Sequence, residues 1–253
     1  MTKIAVVGAT GRMGKVLITA VSANEKATLT AASVRPGGEG AGSVDAGAIA
    51  GVGDLGVLLV DDLAAVIDQC DVVIDFTTPQ ATLKHLEICA HANKKIVVGT
   101  TGFSPEQLEQ LQTFGESHPM VFAPNFSIGV NAAFHLLGVA AEILGGDVEI
   151  DITEAHHKNK IDAPSGTALR MGEIIQDSLS LNGHDDQLNY NSIRAGDIVG
   201  EHTVMFVGAG ERIEITHRAM SRMNFATGAL RAALWLEDKS VGMFDMQDVL
   251  GLK

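Results

Sequence analysis

Basic residues are in short supply: 18 Lys and Arg stand against 31 Asp and Glu, for a net charge of −13. That balance argues against a nucleic-acid partner, whose phosphates need a basic footprint, and any anionic ligand must find its cations locally. Cysteine is almost absent. Cys70 and Cys89 stand in no CxxC or metal-like spacing and fall within apolar stretches, so buried thiols of a reducing, cytoplasmic compartment are expected. No apolar run approaches a membrane span, and the chain enters a strand at once without a signal peptide, so a soluble protein with no membrane partner is expected. Aromatics make up only 4% of the chain. With 46% hydrophobic residues and 28 glycines, this is the profile of an Ala/Val/Ile-rich α/β protein with tight turns. Repeats and low-complexity segments are missing too.

A chain of 253 residues can bury one large core or two moderate ones, and two domains are expected. The apolar run Lys3–Val7 reads as a strand that ends at Gly8-Ala9-Thr10-Gly11-Arg12-Met13-Gly14, and Val16, Leu17, Ala20 and Val21 follow at helical spacing. Strand, glycine turn and helix open a dinucleotide-binding βαβ unit, in which the glycines let the backbone approach a pyrophosphate at the helix N-terminus. The spacing is GxxGxxG rather than GxGxxG. The second strand, Thr28 to Ser33, runs into Ser33-Val34-Arg35, with no acidic residue to take ribose hydroxyls. Arg35 can pair with a 2′-phosphate, helped by Arg12 and Ser33, so NADPH is expected over NADH. The alternative is that Arg35 is an ordinary loop charge.

From Pro36 to Gly56 the chain reads as a long glycine-rich loop with a helical turn near Asp45–Ala50. Strands at Val57–Val60, Val72–Phe76, Ile96–Val98 and Met120–Ala123 then alternate with helices at Leu63–Ile67, Ala81–Ala92 and after Ser104. The last carries a capping box, with Pro105 at its first position and Gln107 at the third. Such alternation means a parallel sheet whose ligand lies beyond the carboxyl ends of the strands. Those ends hold Gly8–Gly14, Arg35, Asp75–Thr78, the turn Gly99-Thr100-Thr101-Gly102 and the turn Ala123-Pro124-Asn125-Phe126.

After Ser127 the pattern changes. A helix from Val130 to Leu144 leads to an alternating strand, Val148–Thr153, which delivers Glu154-Ala155-His156-His157-Lys158-Asn159-Lys160. Pro164-Ser165-Gly166-Thr167 then starts a helix with Ser165 as its N-cap. Imidazole, ammonium and the N–H groups of Gly166 and Thr167 thus form a candidate acid/base site beside a carboxylate cradle. A polar stretch, Asn182–Asn191, precedes the hairpin Thr203–Val207 and Arg212–His217, part of an open sheet whose second face calls for association between subunits. The helix Ala226–Leu236 and the apolar tail Phe244–Leu250 are expected to pack back on the first domain. The fold class is therefore α/β: an N-terminal Rossmann-like parallel sheet (1–126 with 222–253) plus a C-terminal α+β domain with an open mixed or antiparallel sheet (127–221).

These stretches resemble those of one family. GATGRMG at Gly8, DFT at Asp75, GTTGF at Gly99, PNFS at Pro124, EAHHKNKIDAPSGTA at Glu154, RAGDIVGEH at Arg194 and SRMNFATGAL at Ser221 are similar to the motifs of the 4-hydroxy-tetrahydrodipicolinate reductases. The resemblance implies reduction of a small dicarboxylate with loss of water, in diaminopimelate and lysine synthesis, by a homotetramer built through the second domain's sheet. It implies NAD(P)H contacts from Gly8, Ala9, Thr10, Gly11, Arg12 and Met13, from Arg35, from Gly99, Thr100 and Thr101, and from Ala123, Pro124, Asn125 and Phe126. It makes His156 the acid/base residue, Lys160 the proton donor, and His157, Lys160, Gly166 and Thr167 the substrate-binding groups. The chain departs from the family at Val34, where an acidic residue is frequent, and between Asn182 and Ile193, where relatives carry a longer arm. The other readings are a reductase of another small anionic imine or carbonyl, and a non-catalytic NADPH sensor. A metal site of Glu154, His156 and His157 is disfavoured, because adjacent histidines on a strand point to opposite faces.

Overall fold

The computed structural model describes residues 1–181, 183 and 188–253. The chain divides into two compact units, Met1–Ser127 with Met223–Lys253, and Ile128–Arg222.

The first unit follows the strand–helix alternation of the sequence. In order it contains β1 (Thr2–Val7), α1 (Arg12–Ser22), β2 (Ala27–Ser33), α2 (Ala46–Ala50), β3 (Leu59–Val60), β4 (Val72–Asp75), α3 (Pro79–His91), β5 (Lys95–Val98), α4 (Pro105–Gly115) and β6 (Pro119–Phe122). Every strand pair is parallel, in the order β3-β2-β1-β4-β5-β6. The order reverses direction between β1 and β4, the switch point at which open parallel sheets bind ligands. Helices cover both faces, so the central strands are apolar on both: Ile4, Val6, Val72, Val73, Ile74, Ile96, Val97 and Val98 have no exposed surface. Helix α4 begins with the expected capping box, Ser104 Oγ accepting from Gln107 N–H and Gln107 Oε1 accepting from Ser104 N–H.

The second unit holds α5 (Ile128–Leu144), β7 (Glu149–His156), α6 (Gly166–Leu181), β8 (Asn189–Arg194), β9 (Gly200–Val207) and β10 (Arg212–Ala219). Its sheet is mixed, in the order β10-β9-β7-β8, with β7 and β8 parallel and the other pairs antiparallel. Helices α5 and α6 pack Val130, Phe134, Leu137, Ala141, Met171, Ile175 and Leu179 against Ile150, Ile152, Val204 and Phe206. Each such fully enclosed Leu or Ile is worth about 1.5–3 kcal/mol relative to an exposed one. The other face of the sheet stays uncovered within this unit: Glu201, Thr203, Met205 and Val207 of β9 lie opposite Arg218, Thr216, Glu214 and Arg212 of β10, all exposed or half-exposed. The chain then returns to the first unit with α7 (Met223–Trp235), β11 (Gly242–Phe244), which pairs parallel to β6 as a seventh strand, and α8 (Met246–Leu250).

Four expectations need correction. Leu63–Ile67 is not a helix: Asp62 Oδ1 accepts from Ala64 N–H, which starts a turn instead, and only a 3₁₀ turn, Ile67–Gln69, follows. The end of the polar stretch Asn182–Asn191 is part of strand β8, with residues 182 and 184–187 of that stretch outside the described residues. The tail contributes strand β11 besides apolar packing. The segment Ile128–Asp147 is long and apolar enough, by length and composition, to cross a membrane. Here it buries one stripe against the sheet and α6, as the core helix of a globular unit does.

Candidate active site

In the first unit the turns that follow the strands line one edge of the sheet. Strand order places them as 123–126 after β6, 99–102 after β5, 76–78 after β4, 8–13 after β1 and Arg35 beyond β2. Between Gly8 and Met13 the chain bends tightly, Gly11 N–H donating to Gly8 O at 2.9 Å and Ala9 N–H to Ser33 O at 2.9 Å. Thr10, Gly11 and Arg12 are exposed, Met13 is half-buried and Ala9 is enclosed. At Gly14 a Cβ would stand 2.2 Å from Gly8 O, so only glycine lets α1 start this close to the turn. The N-cap of α1 is Gly11, which has no side chain to bond the N–H groups of the first turn, as an approaching phosphate requires. These features fit a dinucleotide. Arg35 is exposed, whereas Val34 is buried.

The next two turns are tied together from below. Asp75, fully buried, accepts from Thr77 N–H at 2.9 Å, Thr77 Oγ1 at 2.6 Å and Thr100 Oγ1 at 3.3 Å, and its other oxygen meets His85 Nδ1 at 2.8 Å. Thr100 Oγ1 also accepts from Thr77 N–H and Thr82 Oγ1, both at 2.9 Å. Gly99 and Thr101 are at least half-exposed, while the Thr100 side chain is inside. In the last turn Pro124 is exposed, Asn125 half-buried, and Ala123 and Phe126 enclosed, with the Phe126 ring 5.4 Å from that of Phe76. Phe126 therefore shapes the turn by packing.

In the second unit the cluster grows out of β7. Alternation puts Glu154 and His156 on the inner face, and both are buried. Glu154 Oε2 meets His156 Nδ1 at 2.5 Å, and Arg194 grips the same carboxylate with two bonds, Nη1 at 2.8 Å and Nη2 at 2.7 Å. Arg194 arrives because β8 runs parallel to β7 with Arg194 paired to His156. Ser165 donates its N–H to Glu154 Oε1 at 3.3 Å, its hydroxyl meets His202 Nε2 at 2.9 Å, and it caps α6 by accepting from Ala168 N–H at 3.2 Å. Gly166 and Thr167, the first residues of α6, are thereby pinned beside the cluster, and Gly166 is exposed with open space around it. His157 follows β7, half-buried, its Nδ1 enclosed with no hydrogen-bond partner among the described residues. Lys160 is half-buried and pairs with the exposed Asp162 at 2.8 Å.

Electrostatics follow the same contacts. Burial pushes the Glu154 carboxyl up, but hydrogen bonds from Arg194, Ser192 and His156 outweigh it and hold the group down at about 2. Burial lowers the proton affinity of His156, opposed by Glu154 and reinforced by the charges of Lys160 and Arg194. Burial drives His202 down to about 3, so it is neutral at physiological pH. The result is an imidazole whose Nδ1 is clamped by an anion and whose burial opposes the added charge of an imidazolium. Such a group can move one proton at Nε2.

Two family descriptions match in succession: dihydrodipicolinate reductase, N-terminus, over residues 2–126, and dihydrodipicolinate reductase, C-terminus, over residues 129–250. The chain belongs to the dihydrodipicolinate reductase family. It is 53% identical to the 4-hydroxy-tetrahydrodipicolinate reductase of Hahella chejuensis and 51% identical to that of Chromohalobacter salexigens, with 100% of each chain covered in both comparisons. A dipicolinate-bound dihydrodipicolinate reductase from Paenisporosarcina sp. TG-14 has the same fold, with a TM-score of 0.78 at 24% identity and 98% of both chains covered. Within this dihydrodipicolinate reductase fold, sequence reasoning gave no role to Arg194, His202 or His85, read Ser165 only as the N-cap of α6 and Asp75 only as part of a strand-end turn, and weighed Glu154 only as a disfavoured metal ligand. The signal for Glu154 was its i−2 spacing from His156 on an alternating strand. For Arg194 there was none without the β7–β8 register.

Proposed function

We propose that the chain reduces 4-hydroxy-tetrahydrodipicolinate to tetrahydrodipicolinate with NAD(P)H, with loss of water, as a step of diaminopimelate and lysine synthesis. Full-length kinship with reductases of that name supports the reaction. The observation that carries the site is His156, clamped at Nδ1 by a buried carboxylate with Lys160 close by. In this reading the unit 1–127 with 223–253 takes the nucleotide and the unit 128–222 takes the dicarboxylate.

A bound nicotinamide supplies the hydride. The chain's own residues do the rest. Backbone groups from Gly8 to Met13 would hold the pyrophosphate, the turns Gly99–Thr101 and Ala123–Phe126 would line the nicotinamide end, and Arg35 would take the 2′-phosphate of NADPH. His157, Lys160 and the N-terminus of α6 at Gly166 and Thr167 hold the substrate carboxylates. Lys160 is released for this from Asp162, since an exposed ion pair is worth only about 0–1 kcal/mol. His156 and Lys160 move the proton that must meet the electrons displaced through the conjugated ring. Mixing the protein with NADPH and freshly condensed pyruvate plus aspartate semialdehyde should consume NADPH absorbance; an inert mixture rejects the proposal.

NADPH is the preferred cofactor in this reading, with NADH as a second substrate. Replacing Arg35 by Ser should weaken NADPH binding roughly 10- to 100-fold, from about 1.5–3 kcal/mol for a hydrogen bond to a charged group, and leave NADH nearly unchanged. Fluorescence titrations with both nucleotides check this, and an equal loss for both removes Arg35 from the 2′-phosphate. We also place the chain in the cytoplasm as a homotetramer, readings supported by the free, buried Cys70 and Cys89 and by the uncovered, charge-alternating sheet face of the second unit. A monomer in sedimentation equilibrium rejects the tetramer.

A further inference from the structure

The carboxylate of Glu154 is buried to 1% exposure and is spent entirely on neighbours, receiving His156 Nδ1, both terminal nitrogens of Arg194 and the N–H of Ser165. Burying an ion this completely is costly unless every partner is in place. A purely structural role would be served as well by an apolar pair of similar volume. Three of these four contacts instead hold the carboxylate itself in place, and the fourth joins one of its oxygens to one nitrogen of one imidazole. We infer that Glu154, backed by Arg194, is a positioning residue for the reduction, fixing the His156 ring with its proton on Nδ1 so that Nε2 alone exchanges protons with the substrate. The inference rests on reading His156 as the acid/base group.

Three features support it. The first is tautomer control: an ionised carboxylate only accepts, so the His156 nitrogen it touches must carry the proton. The second is orientation. The far nitrogen looks over Gly200 of β9, where a Cβ would come within 3.0 Å of Nε2, and the ring stands edge-on to His202 with centroids 5.1 Å apart. Strand β9 is thus stripped of bulk where Nε2 must stay open. The third is charge. The groups facing His156 are Glu154 on its own strand, Arg194 from β8, neutral His202 from β9, which Ser165 of the α6 start bonds, and Lys160 beyond β7 with Asp162 behind it. Among the described residues Glu154 is the one anion in contact with the ring, and it opposes two cations and the burial that discourage an imidazolium.

The test compares Glu154→Gln, Glu154→Asp and His156→Gln in the full chain. Glutamine keeps an acceptor for Nδ1–H but removes the charge. Its kcat should fall about 10- to 100-fold, the range seen when a carboxylate behind a functional histidine is lost, with KM for the dicarboxylate within about twofold. Because the anion favours the imidazolium, removing it lowers the proton affinity of His156. The alkaline limb of the kcat profile, where a required proton is lost, should therefore move to lower pH. Glu154→Asp keeps the charge and should recover part of kcat and the original limb. NADPH titration, read in the other unit, should be the same for all variants, and a cooperative urea transition with the parent's far-ultraviolet circular dichroism reports that the mutated unit is folded.

A Glu154→Gln protein with unchanged kcat and a superimposable pH profile overturns the inference. So does a loss of kcat that leaves the limb in place and that aspartate does not recover, because that is a structural effect alone. If Glu154→Gln does not fold, Arg194→Lys decides: it keeps a cation but loses the two-point grip, so the limb should shift in the same sense, and an unmoved limb refutes the proposal. His156→Gln separates the two levels. If it lowers turnover while Glu154→Gln does not, only the positioning role fails; if it leaves turnover intact, the acid/base reading and this inference fail together.

Discussion

His156→Gln and Lys160→Met are each expected to lower kcat by roughly 100-fold or more, the usual cost of losing a positioned acid or base. Glutamine fills most of the imidazole's volume and keeps polar atoms near Glu154 and His202, so the fold should survive, but it cannot deliver a proton. Methionine keeps the unbranched stem of Lys160 and removes the ammonium, together with the ion pair to the exposed Asp162, whose loss costs little. Since Lys160 is read as both proton donor and carboxylate ligand, its variant should also raise KM, whereas the His156 variant should act mainly on kcat. The double variant should lose less than the product of the two effects if both groups serve one proton transfer. Steady-state rates with NADPH held saturating measure all of this. Turnover within twofold of the parent for either single variant would remove that residue from the chemistry.

The largest effect on stability is expected from a single methyl group. A Cβ at Gly228, in the middle of α7, would stand 1.7 Å from the carbonyl oxygen of Phe126 and 2.9 Å from its carbon. Both are backbone atoms, so no side chain can rotate away. Gly228→Ala must push α7 off the end of the β6 turn and disturb buried Ala226, Ala229 and Leu230 beside it. Overpacking of this kind costs typically 1–3 kcal/mol, and about 3 kcal/mol or more is expected where the obstacle is main chain. Affinity for NADPH should drop with it, since the displaced turn is Ala123–Phe126. Gly138 of α5 supplies the contrast, with its nearest neighbours at 3.5 Å and 3.6 Å. Alanine there should stabilise by up to about 1 kcal/mol, because a helical glycine is replaced without collision. Urea unfolding of the two proteins reads both signs, and a Gly228→Ala protein as stable as the parent would disprove the tight approach of α7 to Phe126.

Where the fold was legible in the sequence, local rules and the tertiary structure agree. The capping box at Ser104 and Gln107 needs only four consecutive residues, and the parallel sheet follows from strands and helices in strict alternation. Elements that depend on a distant partner were not legible. Strand β8 is Asn-Tyr-Asn-Ser-Ile-Arg, too polar to announce itself, and is a strand because β7 offers it an edge. Three-residue β11 is likewise made by β6. The reverse error occurred at Leu63–Ile67, where an apolar spacing suited to a helix is overruled by the side chain of Asp62. The candidate site divides in the same way. Its proton-bearing residues crowd within five positions of one another, but Arg194 lies far along the chain and reaches Glu154 only through sheet register.

Residues 223–253 bring α7, which packs on β4 and β5, and β11, which covers the edge of β6. A ribosome threads the chain out from its first residue, so the opening sheet has to wait, one edge bare, while the whole of 128–222 is translated. The inserted unit, continuous in sequence, is the one able to mature first. Chains ending at Arg222 and held on the ribosome through an added unstructured linker long enough to clear the exit tunnel should therefore show protease resistance in 128–222 and rapid cutting of the earlier segment, and equal resistance in both would rule this order out. The half of the molecule made first is in this sense the half finished last.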